Sequence, residues 1–174
     1  KEVGKPKCLL KINNQSIISN LLKNLKGLKI KKINIVVGFK SNLIKRELKK
    51  NKKINYIYNK YYNSREMLYS LILALKKIDD DIIFSYTDII YHRNIIKKLI
   101  SKKNNIYLPI LKNWKEVWIR RKKEIKSDAE NLQIDKNDNL KTIGKKITNI
   151  SKVKYQFMGL VMINKENKKE IIKL

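Results

Sequence analysis

The feature that most constrains the fold is a regular alternation of apolar, β-branched segments with amphipathic segments between residues 16 and 103. The apolar segments, at 31–39, 54–59 and 79–88, are short and nearly continuous, which is typical of strands buried on both faces. Helical spacing of apolar residues covers 16–26, 41–50, 65–77 and 92–101. This alternation predicts an α/β fold: a Rossmann-like, three-layer, mixed but mainly parallel sheet with helices on both faces.

The pattern changes after Asn104. Strand-like segments then follow one another at 105–112, 131–144 and 155–163, and the middle segment divides around a turn at 136–139. Short strands in direct succession favour antiparallel or mixed pairing, and a final helix is predicted at 165–173. Because no Gly/Ser-rich or Pro-rich linker divides the chain, we expect one domain over residues 1–174.

The charge balance indicates anionic ligands. Formal net charge is +27, from 42 Lys and Arg against 15 Asp and Glu. Only five of the basic residues are Arg, whereas proteins that recognise nucleic acids rely on Arg for bidentate contacts. Lys, Ile, Asn and Tyr share AT-rich codons, so genome composition accounts for much of the excess. We therefore expect no specific nucleic-acid partner, and a Lys-rich RNA-binding domain remains a remote alternative.

Cysteine usage and hydropathy bear on the compartment. The single Cys8 excludes an intramolecular disulfide and a cysteine metal cluster. The longest apolar runs, such as residues 71–75, are too short to cross a bilayer. Both features fit a protein of the reducing cytoplasm with no membrane partner.

Two residues that are far apart in the sequence, Lys7 and Asp88, are candidates for binding a phosphate and its metal ion. Ligands of open parallel sheets bind beyond the carboxyl ends of the strands, and Asp88 lies where the strand at 79–88 ends. A carboxylate there can hold Mg²⁺ against a nucleotide phosphate, or it can simply cap a helix. Lys7, in the sequence GKPK at 4–7, can act as a point charge on phosphate. In so basic a chain, the motif alone favours a surface lysine over a phosphate-binding one.

Two further segments carry candidate binding residues. Residues 59–71 leave a strand and open a helix, so they offer donors to an anion or a base; alternatively Asn63 or Ser64 is a helix N-cap. Residues 113–132 combine aromatic, basic and acidic side chains that could form an ammonium cage and a phosphate clamp. The alternative there is core packing of Trp114 and Trp118, which are one helical turn apart. The isolated His92 is expected to be a surface or capping residue.

Taken in order, these segments resemble the NTP-transferase (nucleotidyltransferase) family, and within it the phosphocholine and aminoethylphosphonate cytidylyltransferases. The resemblance rests on KEVGKPKCLLKINNQSIISNLLKNL at the start, INIVVGFKSNLIKREL, NKYYNSREMLYSLILA and DIIFSYTDIIY. The later sequences NWKEVWIRR, DAENLQID, IGKK and YQFMGLVMI favour the cytidylyltransferase branch. Thr87 stands where the family usually has Gly before the Asp.

The resemblance implies a fold of the nucleotide-diphospho-sugar transferase type and roles for several residues. Lys7 would be catalytic and neutralise the α-phosphate of the nucleotide, and Asp88 would be catalytic as the ligand of the Mg²⁺ cofactor. Asn63 and Ser64 would lie beside the nucleoside. Residues 1–103 would form the nucleotide-binding half.

Residues 104–174 would form the acceptor-binding half, in which Trp114, Arg120, Asp128 and Glu130 would face the second substrate. The implied reaction is transfer of CMP from CTP to a small phosphorylated or phosphonate acceptor, with release of pyrophosphate, for decoration of a surface polysaccharide. The acceptor phosphate has a second pKa of about 6, so it needs no general base at neutral pH. A sugar-1-phosphate nucleotidyltransferase using UTP, dTTP or GTP is the alternative, and a homodimer is compatible with either.

The family's glycine-rich loop with its Arg would precede Lys1, and its second metal carboxylate would follow Leu174. Without the strand that carries the glycine loop, a parallel sheet would expose two unpaired edges. We therefore expect further residues at both ends of the sequence.

Overall fold

The computed structural model describes residues 4–51, 53–120, 129, 131–145 and 149–173. The chain divides into two compact units, of which the first comprises Lys1–Tyr107 with Val161–Leu174 and the second comprises Leu108–Leu160. The chain returns to the first unit at Val161, and the single domain with halves at 1–103 and 104–174 stays a prediction. Ile163, Ile171 and Ile172 pack there against Leu71 and Leu75, which assigns the last strand and helix to the first unit.

The first unit alternates strands and helices, as the sequence predicts. After a 3₁₀ turn at Lys7–Leu9, its elements in chain order are β1 (Lys11–Ile12), β2 (Gln15–Ser16), α1 (Ile17–Leu25), β3 (Ile33–Val37), α2 (Ser41–Glu47), β4 (Ile54–Tyr58), α3 (Met67–Lys77), β5 (Ile82–Ser85), α4 (Arg93–Ile100) and β6 (Ile106–Tyr107).

The second unit is built mainly of short strands. Its elements are β7 (Ile110–Leu111), α5 (Trp114–Arg120), β8 (Asn131–Ile134), β9 (Leu140–Lys145), a 3₁₀ turn at Ile150–Lys152 and β10 (Gln156–Phe157). The chain then enters β11 (Leu160–Ile163), a 3₁₀ turn at Lys165–Asn167 and α6 (Lys168–Ile172).

Strand pairing is mixed. β3 pairs with β4 in parallel, with Ile33 opposite Ile54 and Val37 opposite Tyr58. β11 lies between β5 and β6 and runs antiparallel to β6. In the second unit the described pairs β7–β10 and β8–β9 are antiparallel. The predicted change from parallel to antiparallel pairing along the chain is thus observed, and the α/β class is confirmed.

The helix starts follow local capping chemistry. Ser16 caps α1 by accepting a hydrogen bond from Ser19 N through its Oγ at 3.3 Å. His92 caps α4, because its Nδ1 accepts from Asn94 N at 3.3 Å, so the capping interpretation of His92 is confirmed. The N-cap of α3 is Glu66. Neither Asn63 nor Ser64 caps that helix, because the chain first makes a turn at Tyr61–Arg65, closed by Arg65 N on Tyr61 O at 2.9 Å.

The core of the first unit lies around β3 and β4. Its buried residues come from the turn at Lys7–Leu9, α1, the two strands and α2, and they are Cys8, Ile18, Ile35, Val37, Ile44, Leu48 and Ile54. Cys8 therefore anchors the amino-terminal segment to the same core that supports the strands. In the described residues, no helix is both long and apolar enough to cross a membrane.

An acidic turn ties the returning carboxyl-terminal segment to the first unit. Asp79 Oδ2 accepts from Lys165 Nζ at 2.8 Å, and Asp81 Oδ1 accepts from the Lys165 backbone N at 2.8 Å. Lys168 Nζ lies 3.8 Å from Asp79 Oδ1 and donates to Ile78 O. The hydrogen bond from Lys165 lowers the pKa of Asp79, and the same contact raises the pKa of Lys165.

These pKa shifts predict how stability depends on pH. Because the pKa of Asp79 is lowered in the folded state, its contribution is present above the carboxyl's ordinary pKa and disappears as pH falls through the folded value. The raised pKa of Lys165 removes the contribution again at strongly alkaline pH. We expect Lys165→Met to lower the free energy of unfolding at pH 7, and the difference from wild type to vanish in acid.

Urea unfolding of both proteins at a series of pH values measures this difference. Lys169→Met, an exposed lysine on α6, is the matched control and should show no such pH dependence. A Lys165→Met difference that stays constant down to the most acidic pH would contradict the assignment.

The second unit has its own core around α5. Trp114 is 1% exposed and packs with Trp118 and Val153, and the two indole rings meet edge to face with centroids 6.0 Å apart. Large aromatic side chains contribute much of the apolar area in a core of this kind.

We expect Trp114→Ala to lower the free energy of unfolding by about 3–5 kcal/mol, because a buried indole is replaced by a cavity. Ile119→Ala, on the same helix and 66% exposed, should cost about 0.5 kcal/mol or less. Urea unfolding monitored by circular dichroism measures both, and a Trp114→Ala cost as small as the control would show that the indole is not a core group.

Candidate active site

A pocket of about 310 Å³ opens at the carboxyl ends of β3 and β5. The chain leaves β3 at Gly38 and β5 at Tyr86. Residues of the amino-terminal segment also line the pocket, among them Lys7 and Cys8. The lining residues are Pro6, Lys7, Cys8, Val36, Val37, Gly38, Phe39, Ile44, Met67, Tyr86, Thr87 and Asp88. This is the edge at which open α/β sheets bind ligands.

Lys7 and Asp88 meet at this pocket. Lys7 Nζ lies 3.9 Å from Asp88 Oδ2, and the side chains are 83% and 37% exposed respectively. Pairs as exposed as this contribute about 0–1 kcal/mol to stability, so the pair is not needed to hold the fold together. Both charged groups remain accessible to a ligand from the solvent.

The backbone at Lys7 is held in place by its neighbours, whereas the Lys7 side chain is exposed to solvent. Pro6 precedes the 3₁₀ turn with φ −55°, and its carbonyl accepts from Leu9 N at 2.9 Å. Cys8, the next residue, is buried in the core of the first unit. Burial raises the pKa of the Cys8 thiol, and a hydrogen bond with the Thr87 side chain acts in the opposite direction. That contact joins the Lys7 turn to the segment that carries Asp88.

A second cation stands close to the same turn. Lys40 has a left-handed backbone, φ +44°, at the residue before α2. Its Nζ would lie 3.3 Å from a Cβ built on Gly4, whose own φ is +121°. The left-handed region disfavours side chains such as lysine, and residues held there cluster at functional sites. Lys40 was not among the site residues predicted from the sequence, although Lys40 follows directly on the VVGF segment.

Asp88 supplies a carboxylate that could hold a divalent cation at the pocket. Nowhere in the described ranges do three or more His, Cys, Asp or Glu residues gather into a metal-binding group. Mg²⁺ is commonly bound by one or two carboxylates together with substrate phosphates and water. The carboxylate of Asp88 therefore fits a Mg²⁺ site that substrate phosphates and water would complete.

Asn63 and Ser64 lie in the exposed turn between β4 and α3. Ser64 N donates to Tyr61 O at 3.1 Å, and the described lining of the pocket includes neither residue. The same turn is connected to the pocket through its neighbour Tyr62, whose ring packs with Phe39. The nucleoside-binding role of Asn63 and Ser64 stays a prediction.

The residues expected to face a second substrate lie in the second unit. Trp114 is 1% exposed and packs in the core of the second unit, as the core alternative expects, and a role for it in binding a second substrate stays a prediction. Arg120 is exposed on α5, and a phosphate-clamping role for it stays a prediction. Asp128 and Glu130 lie outside the described residues.

The sequence is similar to that of a named cytidylyltransferase. The chain is 29% identical over 173 residues to the CTP:phosphoglutamine cytidylyltransferase of Campylobacter jejuni subsp. jejuni serotype O:2. The alignment covers 96% of this chain and 68% of that protein. This chain thus spans about two thirds of the length of that relative.

Solved structures show the same fold. A protein from Bacillus anthracis assigned as a glucose-1-phosphate thymidylyltransferase superposes with a TM-score of 0.75 at 15% identity, covering 99% of this chain and 68% of that one. The inositol-1-phosphate CTP transferase from T. maritima superposes with a TM-score of 0.73 at 16% identity, covering 97% and 65%. At these identities the likeness establishes the fold, which is that of the nucleotide-diphospho-sugar transferases.

The sequence pattern of the MobA-like NTP transferase domain matches residues 1–137. That match includes Lys7, Asp88 and every other residue that lines the pocket. The predicted nucleotidyltransferase class is confirmed, and the chain belongs to the MobA-like NTP transferase family.

Proposed function

We propose that this chain catalyses transfer of CMP from CTP to a small phosphorylated or phosphonate acceptor, with release of pyrophosphate. The observation that carries the proposal is the meeting of Lys7 Nζ and Asp88 Oδ2, 3.9 Å apart, at the carboxyl-end pocket. A cation and a carboxylate placed there can receive a triphosphate and its metal ion without a further catalytic group. The named activity of the Campylobacter relative supports CTP as the donor.

The reaction needs positioning and charge neutralisation more than proton transfer. An oxygen of the acceptor phosphate attacks the α-phosphorus of CTP, and the bond from that phosphorus to the oxygen bridging to the β-phosphate breaks. Pyrophosphate leaves with the bonding electrons. Because the acceptor oxygen is already deprotonated at neutral pH, no general base is required. Lys7 neutralises the charge on the α-phosphate: its backbone is held to the core beside the pocket, and its exposed side chain is accessible to the nucleotide.

Asp88 would hold Mg²⁺, which, when bound, would neutralise phosphate charge and orient the triphosphate. Lys40 lies beside Gly4 and would add a second cation for the phosphates. Lys7 and Asp88 line the pocket itself, so Lys40 would supplement the charge of Lys7 from outside the described lining.

We further propose that the enzyme acts in the cytoplasm and supplies an activated group for surface polysaccharide. CTP is a cytoplasmic metabolite, and the lone Cys8 fits a reducing compartment. A sugar-1-phosphate nucleotidyltransferase using UTP, dTTP or GTP is the second candidate, favoured by the structural likeness to the Bacillus anthracis protein. A homodimer stays a prediction.

The direct test is pyrophosphate release by the purified full-length protein. CTP, UTP, dTTP and GTP are each offered with a panel of phosphorylated amino acids, phosphocholine, aminoethylphosphonate and sugar 1-phosphates. We expect release with CTP and a small phosphate or phosphonate acceptor. Release only with a sugar 1-phosphate and another nucleotide would select the second candidate, and no release with any pair would overturn both.

Asp88→Asn should lower kcat by about 100-fold and raise the Mg²⁺ concentration needed for half-maximal rate, because a neutral amide binds the ion more weakly. Asp138→Asn, an exposed aspartate in a turn of the second unit, is the matched control. Steady-state rates across a Mg²⁺ titration measure both, and an unchanged Mg²⁺ requirement would remove Asp88 as the metal ligand.

Lys7→Met should also lower kcat by about 100-fold, since it removes a positive charge that acts on the transition state. Lys11→Met, an exposed lysine on β1, should leave kcat within about twofold. If Lys7→Met raised only the KM for CTP and left kcat intact, Lys7 would bind the ground state without taking part in catalysis.

A further inference from the structure

Two aromatic rings are exposed at the mouth of the pocket. Phe39 lines the pocket and is 44% exposed, and Tyr62 beside it is 43% exposed. Their ring centroids are 6.3 Å apart with the planes inclined by 48°. Aromatic side chains are usually buried for the area they remove from water, so an exposed pair that borders a pocket marks a surface suited to an apolar, planar partner.

The position of Tyr62 is fixed from beneath by a glycine. A Cβ added to Gly38 would overlap Cβ and Cγ of Tyr62, which means that the tyrosine packs directly on the Gly38 backbone. Every side chain larger than hydrogen at position 38 would therefore displace Tyr62. Because Gly38 is the residue after β3, the contact ties Tyr62 to the edge of the sheet.

Asn59 holds the start of the turn that carries Tyr62. The side chain of Asn59 is 2% exposed, its Oδ1 accepts from Tyr61 N at 2.9 Å, and its Nδ2 donates to Ser70 Oγ at 3.0 Å. The backbone N of Asn59 donates to Val37 O at 2.8 Å, next to Gly38. Asn59 thus joins the end of β3, the start of the turn that carries Tyr62, and α3.

The pocket therefore has an apolar side and a charged side. Val36, Val37, Phe39, Ile44 and Met67 form the first, and Lys7 with Asp88 forms the second. A nucleotide has the same division, because its base is planar and largely apolar on its faces while its phosphates are anionic. A small phosphorylated acceptor has no comparable planar group.

We propose that Phe39 is a nucleobase-binding residue whose ring stacks on the base of the bound nucleotide, and that Tyr62 and Asn59 are positioning residues for that ring. Tyr62 packs beside Phe39 with its ring plane inclined by 48°, Gly38 lies directly against Tyr62, and Asn59 holds the start of the turn that carries it. This inference rests on the proposed function and adds the residues that bind the base. Because stacking tolerates every base, Phe39 supplies affinity and does not choose cytosine over other bases.

Direct binding to the full-length protein tests the proposal, with CTP and inorganic tripolyphosphate as the two probes in isothermal titration. Phe39→Ala should raise the Kd of CTP about tenfold and leave the Kd of tripolyphosphate unchanged, since tripolyphosphate has no base. The Kd of UTP should rise by a similar factor. Phe39→Tyr keeps the ring and should bind CTP like the wild type.

Tyr107→Ala is the matched control for loss of an aromatic ring. Tyr107 lies in the same unit with Lys102 Nζ 5.3 Å from its ring centroid, as Lys40 Nζ lies 5.5 Å from that of Phe39, and the described pocket lining does not include it. It should not change the Kd of either probe. Equal weakening of both probes by Phe39→Ala, or no weakening of CTP, would overturn the proposal.

A double-mutant cycle tests the positioning role of Asn59. Asn59→Ala should raise the Kd of CTP about fivefold in the wild-type background and should have no further effect when Tyr62 is already Ala. Ser70→Ala, which removes one partner of Asn59, is a milder variant in case Asn59→Ala fails to fold. If either variant raised the Kd of CTP as much in the Tyr62→Ala background as in the wild type, Asn59 would not act through Tyr62.

Measuring pyrophosphate release on the same protein preparations distinguishes failure of the nucleobase contact at Phe39 from failure of the proposed function. A wild type that binds CTP but transfers no CMP to any acceptor would contradict the proposed function and leave the nucleobase contact standing. An active wild type whose Phe39→Ala variant binds CTP unchanged would overturn the nucleobase contact alone.

Discussion

The pocket depends on the parallel pairing of β3 and β4. Their register places Val37 opposite Tyr58, and the next residue, Asn59, donates its backbone N–H to Val37 O. Both strands therefore end at one edge, and Gly38 and Asn59 emerge there side by side. Burial of the apolar strand residues sets this register, because a shift by one residue would turn their side chains away from the core. The turn that carries Tyr62 and the apolar side of the pocket follow from it.

The charged side of the pocket is stabilised in a different way. The Lys7–Asp88 pair is too exposed to fix either residue, and it is the buried Cys8 that holds the Lys7 backbone to the core. A chemistry that needs charge near a phosphate, and no proton transfer, can use groups that the solvent reaches. The exposed Lys7 and Asp88 of the described site are groups of this kind.

Much of the fold could be predicted from periodicity and capping alone. Ser16 begins α1 and His92 begins α4, because both features are local and depend on a few neighbouring residues. The prediction that Asn63 or Ser64 caps α3 is wrong, because the chain first makes the turn at Tyr61–Arg65. That turn is stabilised by Asn59 and by the contact of Tyr62 with Gly38. Trp114 illustrates the same limit: its spacing from Trp118 gives the helix but cannot say whether the rings face solvent or a core containing Val153.

The sequence by itself determined the α/β class, the nucleotidyltransferase family and the candidate pair Lys7 and Asp88, because strand periodicity and motif order are encoded along the chain. Only the tertiary structure decided that Lys7 and Asp88 meet, that Phe39 and Tyr62 border the same pocket, and that the final strand and α6 return to the first unit. Each of these depends on contacts between residues far apart in sequence. Such contacts follow from which apolar faces bury one another, and that choice is made by the whole fold.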